Sequence, residues 1–298
     1  MSRLLKSSLF SAGLLACAVM LALAFSGYLL NEQTVGDNSV FLVIIIIQVI
    51  VFIVPALVYC RLRGTGMRSP MLLAGVKPSH ILFVFFAALL LVSGNLLLKY
   101  LLGFDYSSGN DSVLSLSLAS GEMNSGAGLF FAYCLAPAVC EELVFRGVIL
   151  SEYRCYGSFN AVLLTSFYFA LLHFDSNGFL LYLYAGIVLG LVTVVCRSVF
   201  PAMILHLINN LLNVFGNDLF LRITMQQSGV FFMGFVLFSL FLLSLIFVLS
   251  RIEQTYYGYA KAPPTSELLP KSFANFYVYI SPAVILPLAV FLLIRLFH

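Results

Sequence analysis

Nine predominantly apolar stretches, separated by short polar breaks, dominate the pattern along this chain. They run approximately Ser8–Leu30, Val40–Tyr59, Ile81–Tyr100, Gly128–Tyr153, Ala161–Phe174, Phe179–Cys196, Val199–Phe215, Val230–Ser250 and Phe273–Phe297. A helix needs roughly 20 apolar residues to cross a bilayer, and most of these stretches approach that length. Ala161–Phe174 is short and carries His173 near its end, which places it among other helices rather than against lipid. Runs such as Ile44-Ile45-Ile46-Ile47 are apolar on every side, so the alternation of a membrane β-barrel is absent. The pattern predicts an all-α, polytopic transmembrane helix bundle of about eight or nine spans.

Composition agrees. Of 298 residues, 62% are hydrophobic and 9% charged, where a soluble domain carries about a quarter charged. Twelve acids and fifteen bases cannot cover a globule of this size, and the same figures exclude intrinsic disorder. The net charge of +3 without a basic tract argues against nucleic acid as a partner. Basic residues orient a bundle because they stay on the cytoplasmic side. With the N-terminus inside, the inner segments collect Arg3, Lys6, Arg61, Arg63, Arg68, Lys77, Arg154, Arg197, Arg251, Lys261 and Lys271. The outer side keeps Lys99, Arg222 and Arg295. The N-terminus is therefore expected in the cytoplasm, and nine spans put the C-terminus outside.

The polar breaks divide the chain into three parts. Residues 1–127 hold three spans and a polar outer loop, Leu102–Ala127, rich in Ser and Gly and without bases. Residues 128–216 form the part with polar residues inside its spans, and residues 217–298 hold the last spans behind an inner linker at Pro263-Pro264. The first apolar run exceeds the 7–15 residues of a signal-peptide core and reads as a retained helix. The six cysteines include no C-x-x-C pair and read as buried small apolar residues rather than disulfide or metal ligands. No internal repeat marks a transporter.

An ionisable residue inside a bilayer costs about 2.5–3.5 kcal/mol on insertion scales. The fourth span accepts that cost three times, in Cys140-Glu-Glu-Leu-Val-Phe-Arg-Gly147. Glu142 and Arg146, four apart, stack on one helical face and can pair, whereas Glu141 points about 100° away. Pro137 is expected to kink or start that helix. Phe169 and His173 share a face of the fifth span, and His206 and Asn210 share a face of the seventh, where Asn209 and Asn213 are further polar residues. At about 1.5 Å per residue, Glu141 lies roughly 18 Å, His173 roughly 20 Å and His206 roughly 12 Å from the inner boundary. Those depths allow one mid-membrane cavity, opening towards the cytoplasm. Singly, these residues also read as a structural ion pair, an interfacial histidine and interhelical glue. Gly186-Ile-Val-Leu-Gly190 is a small-xxx-small packing motif without a chemical role.

The ordered set Glu-Glu-x-x-x-Arg, Phe-x-x-x-His and His-x-x-x-Asn on successive membrane helices resembles the CPBP family. That family includes the type II CAAX prenyl endopeptidases and bacteriocin-processing or self-immunity proteins. The resemblance covers roughly Gly128 to Phe215. It implies an intramembrane endopeptidase in which Glu141 activates a water for attack on a peptide carbonyl. By the same resemblance His173 positions that water, and His206 and Asn210 hold the oxyanion. Glu142, Arg146 and Phe169 are supporting residues, with Glu142 as partner to a histidine.

No Gly-x-Ser-x-Gly elbow surrounds Ser166, and His-Glu-x-x-His is absent. No cofactor is expected; zinc on Glu141, His173 and His206 is the alternative, since two histidines and a carboxylate are a recognised set. The expected partners are membrane lipid and a peptide or lipidated protein substrate. Short loops, a compact chain and the lack of an ER-retrieval tail point to a bacterial plasma membrane. The rival functions are a non-catalytic scaffold or immunity protein and, less favoured, a small-molecule transporter.

Overall fold

The computed structural model describes residues 8–29, 40–64, 72–102, 126–216, 227–260, 279 and 281–297. The outer loop across 103–125 and the Pro263-Pro264 linker lie outside the described residues. Those described are helical, without a strand. Nine helices follow in order: α1 (Ser8–Leu29), α2 (Val40–Arg63), α3 (Ile81–Leu101), α4 (Gly126–Tyr156), α5 (Ser158–Leu172), α6 (Phe179–Cys196), α7 (Phe200–Phe215), α8 (Gln227–Ala260) and α9 (Pro282–Phe297). Five of them contain a segment long and apolar enough to cross a membrane: Val40–Arg63, Pro78–Leu101, Gly126–Tyr156, Phe179–Cys196 and Phe231–Thr255. The other four, α1, α5, α7 and α9, carry apolar stretches of 10–17 residues. The last helix is described from Pro282, and Phe273 lies outside the described residues.

The surface is the inverse of a soluble protein's. Phe231, Phe232 and Phe235 of α8 are 69–73% exposed, and Leu243 and Ile246 continue the same face. An apolar surface of that extent is stable only against lipid or a partner. The polar groups lie inside. Thr165, Ser166, Thr193 and Ser244 return their hydroxyl protons to carbonyls one turn earlier, so each satisfies itself within its own helix.

Two apolar clusters make up the interior. One gathers side chains of α1, α2, α4 and α5, with Ala283 of α9 against them. The other gathers α3, α6, α7 and α8, including the stacked pair Phe86–Phe247 with ring centroids 4.1 Å apart. α4 packs against α1, α2, α5, α6 and α7.

Ties between helix ends fit an up-and-down order. Arg63, ending α2, pairs with Glu152 near the end of α4 at 2.6 Å. Asn160, at the start of α5, receives a bond from Tyr279 just before α9. Ser198 donates to Ala74. At the opposite end, Arg295 donates to Ser176 at 3.4 Å, and Lys99 donates to Asn213 at 2.7 Å. Each tie joins two ends that alternate threading puts on the same side. α1 belongs to this bundle, with Ala12, Ala16 and Val19 sealed.

Pro137 lies within α4. It sits in the first turn of the α-helical segment Ala136–Glu142, and the turns before it, Phe130–Leu135, are wound as π-helix. A second π-segment, Leu143–Ile149, follows directly. Glu141 and Glu142 thus end a short α-helical segment held between two wide ones, and such insertions are frequent at functional sites.

Candidate active site

Glu142 and Arg146 are sealed from solvent, and Arg146 Nη1 donates to Glu142 Oε1 at 2.7 Å. The i,i+4 contact survives the change of winding between them. Two charges inside a bundle need every compensation available. Arg146 finds it across helices: Nη2 donates to the Gly186 carbonyl of α6 at 3.3 Å, and the guanidinium lies 4.3 Å from the centre of the Phe169 ring. Glu142 finds it on α7, where His206 Nδ1 lies 2.9 Å from the same Oε1. A carboxylate only accepts, so Nδ1 carries the proton and Nε2 faces away from Glu142.

Phe169 joins the three motifs. Its ring is edge-on to His173 at 4.9 Å, to His206 at 5.6 Å and to Phe145 at 5.8 Å, and it carries Arg146 on its face. Side chains of α4, α5 and α7 therefore meet around one aromatic ring. His173 caps the end of α5, half-buried, with Nδ1 donating to the Phe169 carbonyl at 2.8 Å. That bond fixes the tautomer, leaving the Nε2 lone pair to accept a proton. The Tyr182 ring of α6 lies parallel to the imidazole at 3.7 Å. The chain then turns through Phe174 at φ 51°, a strained conformation for an aromatic residue, with its ring stacked on Phe291 of α9.

Glu141 is 7% exposed, beside this sealed cluster in sequence and near the end of the α-helical segment that precedes the second π-segment. Asn210 is half-buried on α7, one turn beyond His206. The arrangement joins Glu142, Arg146, Phe169, His173 and His206 by direct contacts. Glu141 and Asn210 sit on the same elements one residue or one turn away. Two cavities lined by described residues, of about 320 and 250 Å³, lie elsewhere, between α3 and α8 and between α1 and α9. Neither includes Glu141, His173, His206 or Asn210 in its lining. Among the described residues no group of three or more His, Cys, Asp or Glu side chains is gathered as a metal site.

Several features were invisible as motifs. Gly186 packs against Ser166 so closely that a Cβ would come within 2.9 Å of its Cα, as a packing motif requires. Its carbonyl also receives Arg146, a role beyond packing. Tyr182 left no signal, because its stacking depends on the turn between α5 and α6. Asn95 and Lys99 of α3 did leave one: two polar residues four apart in an apolar span. They pair with α7, Asn95 Nδ2 donating to Asn209 Oδ1 at 2.7 Å and Lys99 Nζ to Asn213 Oδ1 at 2.7 Å. Polar contact inside the bundle thus extends to a fourth helix beyond the three expected.

Residues 124–212 match the family described as type II CAAX prenyl endopeptidase Rce1-like. The matched stretch reaches from just before α4 into α7 and contains all three motifs. No curated protein and no solved structure matches the chain. Carried in an apolar helical bundle with its motif residues gathered around Phe169, the stretch 124–212 is thus similar to the type II CAAX prenyl endopeptidases, the resemblance its three motifs also carry.

Proposed function

We propose that this integral membrane protein hydrolyses a peptide bond in a membrane-associated or lipidated peptide with a water activated by Glu141. The observation carrying the reading is the bridge at Glu142, whose one oxygen receives Arg146 and His206 from two helices in a sealed environment. Such an arrangement fixes the imidazole of His206 at Glu142, one residue away in sequence from the Glu141 carboxylate.

Each step balances. Glu141 takes a proton from water as the oxygen attacks the peptide carbon, and the carbonyl π-electrons move to oxygen. His173, its Nδ1–H committed to Phe169, uses Nε2 to accept the second water proton as a hydrogen bond and aim the nucleophile. Asn210 and the Nε2–H of His206 donate to the oxyanion. The latter requires the imidazolium form, with which Glu141, Glu142, Arg146 and His206 are together neutral. Fixed donors in a dry site need no reorganisation during reaction. Collapse of the tetrahedral species breaks the C–N bond, and the proton on Glu141 passes to the leaving amine. General-base assistance of this kind contributes about 10²–10⁴-fold.

Short loops and a compact chain favour a bacterial plasma membrane as its location. The test is cleavage of a farnesylated peptide ending in a CAAX sequence by protein purified in detergent. Glu141→Gln, and nearly as strongly His173→Ala, are expected to lose at least about a hundredfold in kcat while eluting as wild type in size exclusion. Full cleavage by Glu141→Gln would overturn the glutamate mechanism, and no cleavage by the wild-type protein would favour a scaffold.

A further inference from the structure

The protease reading uses His206 and Asn210 but leaves the rest of the polar face of α7 without a task. In a helix of 3.6 residues per turn, His206 and Asn213 fall almost in line, two turns apart, with Asn209 and Asn210 between them. The face continues as polar groups to the end of the helix. At that end stands a cation: Lys99 of α3, half-buried, donating to Asn213. Among the described residues Lys99 makes no ion pair. Between Lys99 and His206, Asn95 is 7% exposed, and its Oδ1 accepts no hydrogen bond from the described residues. A neutral amide partner, an unused buried acceptor and an unneutralised ammonium in an apolar bundle are costly for architecture alone.

We infer that Lys99 and Asn213 form a subsite for the free C-terminal carboxylate of the substrate peptide, with Asn95 offering its Oδ1 to a peptide N–H on the way. The inference rests on the protease reading above. Two helical turns rise about 10 Å, and extended peptide advances about 3.3–3.6 Å per residue. A carboxylate on Lys99 therefore lies about three residues beyond a carbonyl held at His206. The direction is coherent with the expected topology. A chain end entering from the cytoplasmic side meets Glu141 and His206 first and the far end of α3 last. An ammonium accepts a carboxylate as a point charge, so the subsite reads the charge of the chain end and not the side chain of the last residue.

The test uses two farnesylated CAAX peptides of one sequence, one ending in a carboxylate and one in a carboxamide. Wild-type protein should cleave the carboxylate form at least tenfold better in kcat/KM, with the difference mainly in KM. In Lys99→Gln that ratio should fall to near one, and Lys99→Arg should restore most of it. Binding of the same pair to Glu141→Gln protein needs no turnover. There the carboxylate form should bind at least tenfold tighter, and Lys99→Gln in that background should bind both alike. Carboxylate-selective binding that depends on Lys99, without cleavage by the wild type, would refute the protease reading and leave the subsite standing. Equal binding of the two peptides, binding of neither, or a preference that persists in Lys99→Gln would refute the subsite.

Discussion

Replacing Arg146 with methionine removes a charge from a sealed cluster while keeping a side chain of similar length. Three contacts go with it: the 2.7 Å bond to Glu142, the bond to the Gly186 carbonyl and the position over the Phe169 ring. Breaking a buried pair by removing one partner costs about 3–5 kcal/mol in soluble proteins, mostly because the other charge is stranded. A desolvated cation–π contact adds about 2 kcal/mol. Against this, Glu142 keeps His206 at 2.9 Å, which holds the loss near the lower end. The expected destabilisation is therefore about 5 kcal/mol. It is read as a shift in the unfolding midpoint when mixed micelles are titrated with a denaturing detergent. The double variant Arg146→Met with Glu142→Gln separates stranded charge from lost packing. With no carboxylate to strand, it should recover at least about 1.5 kcal/mol of the single variant's loss. A single variant within about 1 kcal/mol of wild type, or a double variant no more stable than the single, would show that the pair does not govern stability.

Gly186→Ala should separate α5 from α6, because its Cβ would meet Ser166 backbone and side chain at 2.9 Å; overpacking of this kind costs about 1–3 kcal/mol, and a wild-type midpoint in the same titration would argue against the close approach. Elemental analysis of active protein should find no stoichiometric metal, and chelation should leave cleavage intact. One zinc per chain, lost together with activity, would overturn the metal-free mechanism.

Much of the fold was legible because a bilayer enforces simple rules. All nine apolar runs correspond to helices, and both partners of each described end tie fall where alternation puts them. The Glu142–Arg146 pair was readable from spacing alone, since i,i+4 neighbours meet whether the turn is α or π. What spacing could not supply was the pairing between helices. Glu142 with His206, Arg146 with Gly186 and Asn95 with Asn209 depend on which faces meet, and apolar residues on all sides of a span leave those faces unmarked. Pro137 was legible in part: an α-helical segment starts around it, while the π-wound turns before it left no sign in the sequence. His173 was expected near the end of its span, and it ends its helix; the left-handed Phe174 that makes the turn leaves no trace in hydropathy.

That residue links the last helix to the chemistry. A phenylalanine in the left-handed region costs on the order of 1–3 kcal/mol, and its ring is held by Phe291 from a helix outside the matched stretch. The turn that presents His173 is thus braced by a part of the chain with no motif of its own. Transplanting residues 124–212 into another bundle would carry the whole motif set but leave the brace behind. The portable unit for building a working chimera is the matched stretch together with α9, and a graft designed from the motifs alone would import an imidazole whose backbone is free to relax.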